Sequence, residues 1–158
     1  MANIHHEANW CPIGVNLEND WPDVLLKADY RPDLQTIWVA EGILFYLTEH
    51  ANRDIFHKVS ELSATGSWLL AVHFGPGAPF EAQTREMSSA ADRAGGFGFK
   101  STIVNPERYF AEFNWRTTNL TLAEEARRLG RPISYAVEEQ PGQEIAWLIS
   151  AKKSSAVI

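Results

Sequence analysis

Three side chains able to move a proton lie in the first half of the chain. Glu41 and Tyr46 belong to the stretch "WVAEGILFYL", and His73 lies near the end of "WLLAVHF". Glu41 interrupts an apolar run where a strand should stop, and ligands of open α/β sheets bind at such carboxyl ends. A partly buried carboxylate there can have a raised pKa and act as acid or base. It can equally be a strand-end carboxylate held by the N–H groups of a helix starting near Thr48. His73 falls at the equivalent edge of the next strand, so Glu41 and His73 are the best acid/base pair the sequence offers. Tyr46 can present its hydroxyl to a substrate carbonyl or carboxylate, or pack in the core with that hydroxyl at the rim.

Other reactive residue types are less well placed. His5, His6 and Glu7 are adjacent on an end segment and do not converge on a metal; His50 and His57 are two helical turns apart. No metal site is expected. Cys11 precedes a proline and has no assignable base, and no serine sits in a G-x-S-x-G elbow. Arg127, Arg128 and Arg131 read as a solvated basic face. Trp38, Trp68, Phe74, Phe80, Phe97 and Phe99 suit an apolar pocket for a ring-bearing substrate, and core packing explains them equally well.

The elements that must position these residues follow from composition and pattern. The chain has 158 residues, 45% of them apolar, enough for a single domain over 1–158 with a sizeable core. A net charge of −6 disfavours a nucleic-acid grip, which needs a basic face. No apolar run reaches the roughly 18 to 20 residues of a membrane helix. The opening "MANIHHEANW" lacks the basic and apolar regions of a signal peptide. One cysteine permits no internal disulfide, and a cytoplasmic chain is expected.

"CPIGVNL" reads as a short strand at Ile13 to Leu17. Asp20 as N-cap and Pro22 in the first turn start a helix with Trp21, Val24, Leu25 and Ala28 on one stripe. "TIWVAEG" is apolar almost without alternation, which predicts a parallel strand buried on both faces. Thr48 caps a helix carrying Ala51, Ile55, Val59 and Leu62, and "WLLAVHFG" is a second continuous strand. Strand, helix, strand in this order predicts an α/β fold with right-handed crossovers. Phe80 to Ala94 can form an amphipathic helix, followed by the glycine-rich connection "GGFGF". Asn105 and Pro106 start a helix running to Phe113, and "WRTTNLTL" is strand-like. Thr121 with Glu124 is a capping-box pattern for a helix ending at Gly130. "ISYAVEE", a Pro-Gly turn at 141 and 142, and "EIAWLISAKK" predict a C-terminal antiparallel hairpin.

This outline, with the segments "GVNLENDWPDVLLKADYRPDLQTIWVAEGILFYLTEHANRDIFHKVSELSATGSWLLAVHF" and, more loosely, "NPERYFAEFNWRTTNLTLAEEARRLGRPI", resembles the C-terminal part of class I S-adenosylmethionine-dependent methyltransferases. The nearest branch is the leucine carboxyl methyltransferase family, with its bacterial and polyketide O-methyltransferases. The resemblance implies a truncated Rossmann-like sheet taken from the strand order 3-2-1-4-5-7-6. It implies cofactor contacts at Asn16, Leu17, Glu41 and Gly42, while catalytic roles for Glu41, His73 and Tyr46 rest on residue type and strand position. Two features depart from the family. The Gly-rich loop after the first strand and the acidic residue after the second have no counterpart, and "GGFGF" follows a helix rather than a strand. Asn16 stands where the family has Asp, although its carbonyl can still accept from an adenine amino group.

The resemblance implies the substrate-side half of a small-molecule O-methyltransferase that does not hold S-adenosylmethionine alone in the family's way. "TIWVAEG" would then be an apolar edge that needs covering, by a homodimer joined near Ile37 to Glu41 or by a partner chain supplying the missing half. Two alternatives stand beside this. One is a cofactor-independent cyclase or isomerase using Glu41 and His73; the other is a non-catalytic binding or scaffolding subunit.

Overall fold

The computed structural model describes residues 9–78, 99–131 and 144–155. The chain divides into two compact units, 1–31 and 32–158.

The first unit holds one short helix, α1 (Pro22–Lys27), with Pro22 at its start, where the missing N–H costs nothing. Trp21 occupies the N-cap position, one residue later than the sequence suggests, and no side chain caps the helix. Trp21 is buried, whereas α1 itself buries no residue. The strand expected at Ile13 to Leu17 does not form. Asn16 instead accepts a hydrogen bond from the Glu18 N–H through Oδ1 (3.0 Å), and its carbonyl accepts from the Asn19 N–H (3.1 Å). This local turn chemistry competes directly with a ladder.

Among the described residues the second unit holds a four-stranded mixed sheet. Its strands are β1 (Ile37–Ala40), β2 (Trp68–Phe74), β3 (Trp115–Thr121) and β4 (Ala146–Lys153), in the order β1-β2-β4-β3. β1 and β2 are parallel, and β4 runs antiparallel to both β2 and β3. That order corresponds to the 4-5-7-6 end of the sheet that the family resemblance implies. The antiparallel pair is built differently from the expected hairpin. β4 is bonded to β2 along one edge and to β3 along the other. Both edges are therefore filled, and "WRTTNLT" takes the place assigned to "ISYAVEE". The "ISYAVEE" segment and the Pro141–Gly142 turn lie outside the described residues, as does the helix expected over Phe80 to Ala94.

The helices start where their caps dictate. The Thr48 side chain accepts from the Ala51 N–H (3.2 Å) and opens α2 (Glu49–Glu61), which buries Asn52, Ile55, Phe56 and Val59. Asn105 accepts from the Arg108 N–H (2.8 Å) and opens α3 (Pro106–Ala111). Thr121 and Glu124 form the reciprocal capping box of α4 (Leu122–Arg128). α2 and α3 meet edge-to-face through Phe56 and Phe110, ring centroids 4.8 Å apart, a geometry aromatic quadrupoles favour. Across the same seam Arg53 pairs with Glu112 at 2.5 Å and lies over the Phe113 ring.

One sheet face is closed and the other is open. Leu69, Ala71 and His73 of β2, with Trp147, Ile149 and Ala151 of β4, are buried on the closed face. On the open face Ile37 and Val39 are 65% and 66% exposed, and Trp68 and Leu70 are 41% and 42% exposed. This corrects the expectation that "TIWVAEG" is buried on both faces. Its apolar continuity is real, but among the described residues the second face is bordered only by α4 and leaves Ile37 and Val39 largely exposed.

Candidate functional site

The carboxyl ends of β1 and β2 carry the residues that the sequence singles out. β1 stops at Ala40 because Gly42 turns the chain with φ +70°, a conformation that strains any residue with a Cβ. Nothing lies within 4 Å of where a Gly42 Cβ would be, so the glycine is required by backbone angle and not by space. Glu41 is exposed beside it. The next turn is a 3₁₀ helix, Leu44–Tyr46, that buries Leu44 and Phe45.

Glu41 and His73 are not brought together. Ala40 pairs with Ala71, so one step further Glu41 stands beside Val72, and successive side chains alternate between faces. Glu41 accordingly lines a groove on the open face with Val39, Leu70, Val72 and Leu148, about 490 Å³ in volume. His73 points the other way and is fully buried. Glu125 and Arg128 of α4 also line this groove, joined by two hydrogen bonds of 2.6 Å that hold the Glu125 carboxyl below its ordinary pKa.

His73 belongs to a small polar network inside the protein. Its Nδ1 lies 3.1 Å from the Phe74 carbonyl, which can only accept, so Nδ1 carries the proton. Nε2 then presents a lone pair to the Ser101 hydroxyl, 3.4 Å away. Asn52 Nδ2 donates to Ser101 Oγ (3.0 Å) and to the Leu44 carbonyl (2.9 Å), which ties α2 to the 3₁₀ turn. Desolvation pushes the His73 pKa down, and the bond to the Phe74 carbonyl opposes this only partly. The imidazole is neutral as a result. Asn52 Oδ1 is buried and accepts no hydrogen bond from the described residues.

Tyr46 stacks on Phe99, centroids 5.3 Å apart at 28°, and Phe45 and Phe74 complete the cluster at 4.5 Å. Phe74 and Phe99 of the aromatic set thus pack together, whereas Trp38 donates to Ser63 Oγ (2.8 Å) and Trp68 lies on the open face. Phe80 and Phe97 fall outside the described residues, as do His5, His6 and Glu7. Asn52 and Ser101 were missed by the sequence reading, because neither type is unusual and 49 positions separate them. Asn16 and Leu17 lie in the first unit, where Asn16 Oδ1 is engaged by Glu18 as described.

The acceptors and donors present match only part of what S-adenosylmethionine needs. Glu41 offers a carboxylate, but no glycine-rich strand-to-helix loop occurs among the described residues. Without such backbone N–H groups the described residues do not form a complete cradle for the cofactor. No group of three or more metal-ligating side chains occurs among them, and no helix there is long and apolar enough to cross a membrane.

Residues 1–60 match the family described as leucine carboxyl methyltransferase. A protein of Mycolicibacterium paratuberculosis, provisionally named an S-adenosyl-L-methionine-dependent methyltransferase, is 32% identical over 148 residues. That match covers 89% of this chain and 48% of the relative. A similarly named Streptomyces avermitilis protein is 32% identical over 132 residues, covering 82% and 46%. The chain therefore spans about half the length of the curated relatives it matches. A crystal structure of a DUF574 family protein from Streptomyces avermitilis aligns with a TM-score of 0.52 at 12% identity, over 89% of this chain and 54% of that one. The chain is a homologue of these methyltransferases, with the leucine carboxyl methyltransferase pattern in its first 60 residues.

Proposed function

We propose that this chain forms the substrate side of an S-adenosylmethionine-dependent O-methyltransferase acting on a small, ring-bearing molecule. The cofactor side is completed by polypeptide outside the described residues, on the same or another chain. The observation that carries this reading is the position of β1 at the edge of the described sheet. Among the described strands β1 bonds to β2 alone, its open-face side chains Ile37 and Val39 are two-thirds exposed, and Glu41 stands at its carboxyl end. An apolar edge of this kind needs a strand beside it, and the relatives carry about twice the sequence. A homodimer joined at Ile37 to Glu41 meets the same need.

In the assembled site Glu41 and Gly42 would face the cofactor. The Tyr46 hydroxyl would orient the substrate oxygen. S-adenosylmethionine, once bound, supplies the methyl group, and holding the substrate oxygen in line is the work of this chain. The reading as a cofactor-independent cyclase or isomerase loses its support, because Glu41 and His73 lie on opposite faces of the sheet. A scaffolding role has no observation of its own.

Calorimetry and sedimentation test the proposal together. The isolated chain should bind S-adenosylmethionine weakly or not at all, and binding should appear on mixing with the remaining half of the Mycolicibacterium relative. Val39→Asp should abolish that gain while leaving the isolated chain folded. Tight one-site cofactor binding by a strictly monomeric isolated chain overturns the proposal.

A further inference from the structure

The opposite end of the sheet holds a feature that neither the fold nor methyl transfer explains. Arg116 of β3 is the cross-strand partner of Lys152 of β4. Like charges placed directly opposite one another repel and weaken a ladder, yet no carboxylate pairs with either cation among the described residues. In a chain of net charge −6, carboxylates are plentiful enough to relieve such a pair. Both cations line one concavity of about 380 Å³, together with Thr65, Gly66, Ser154 and Ser155. None of its lining residues is acidic. Lys153 also lines the concavity, but its Nζ is engaged by Ser60 Oγ and the Phe113 carbonyl.

We propose that Arg116 and Lys152 form a binding site for a dianionic phosphate group at the amino edge of the parallel strands. Two facing cations call for two negative charges on one compact group, and a single carboxylate would neutralise only one of them. The planar fork of Arg grips two phosphate oxygens while Lys adds a point charge. Lys152 is steered by the Trp68 ring, over which its Nζ lies at 5.5 Å. Gly66 closes the floor: its φ is +91°, and the Gln35 amide packs where a side chain would stand. β2 spans seven residues, so this site lies about 20 Å from the Glu41 edge. It is distinct from the proposed methyl-transfer site.

Titration calorimetry at fixed ionic strength tests the site, with inorganic phosphate and phenyl phosphate as probes. Saturable one-site binding is expected, weakened at least about tenfold in Arg116→Gln and in Lys152→Gln. Phosphate near tenfold saturation should raise the wild-type Tm by about 3 °C, and that of either variant by about 1 °C or less. Both variants should remain folded, with low-salt stability equal to or above wild type because repulsion has been removed. Tighter binding of phenyl phosphate assigns the site to a phosphate ester, and equal binding assigns it to free phosphate. Absence of saturable binding overturns the proposal, as does binding that both substitutions leave unchanged.

Discussion

Replacing His73 with glutamine should flatten the acid dependence of stability. The wild-type imidazole is fully buried and hydrogen-bonded as the neutral form, and burial lowers its pKa from the ordinary 6.5. The unfolded chain therefore binds a proton that the folded chain refuses. Its contribution to stability is complete above pH 6.5 and is lost as pH falls below that value towards the lowered folded pKa. For an imidazole that stays neutral throughout, the loss at about pH 5.5 is RT ln(1 + 10), or about 1.4 kcal/mol. That is the ceiling, and partial protonation in the fold reduces it. His50 and His57 are exposed and remain in both proteins, and carboxylate contributions are common to both, so the difference between the two slopes isolates His73. Urea unfolding followed by circular dichroism, at about pH 7.5 and about pH 5.5, supplies the four free energies needed. His73→Gln will be less stable at the higher pH, since it disturbs a packed network, but that offset cancels in the comparison of slopes. Parallel slopes for the two proteins would refute the neutral, desolvated assignment and the network drawn around it.

Two further outcomes probe local geometry. Thr121→Ala removes half of the capping box that opens α4 and should cost about 1 kcal/mol in urea unfolding, with Thr121→Ser recovering most of it. Gly75→Ala should cost more than about 2 kcal/mol by the same measurement, because its Cβ would overlap the Glu144 carbonyl, whose carbon lies 2.9 Å away.

The parts of this fold that a reader of the sequence can find are those decided locally. Thr48, Asn105 and Thr121 each cap a helix using groups within three residues, so the sequence carries the whole argument. "WLLAVHF" forms a strand for the same reason, through a run of strand-favouring types. The edges of β4 were not legible, because the choice between "WRTTNLT" and "ISYAVEE" as its neighbour is made by pairing over long separations. The open face was misread since an apolar run looks the same whether its own chain or another surface covers it. At the site, the placement of Glu41 and His73 at adjacent strand ends could be read, but their relative face could not. That depends on the register Ala40↔Ala71, and a one-residue change inverts it. Asn52 and Ser101 carry no spacing signal, and only the folded chain brings them to His73.

The central position of β4 has a kinetic meaning. It is the last of the described strands in chain order, yet it is the one that joins β2 to β3. Until residue 153 has been synthesised and released, β2 has among the described strands its short parallel neighbour β1 alone, and β3 has no described strand beside it. Loop closure between such distant segments comes late and slowly. During synthesis, chaperones would therefore meet two incomplete strand edges, and the sheet would form as a unit only after translation of this segment has finished.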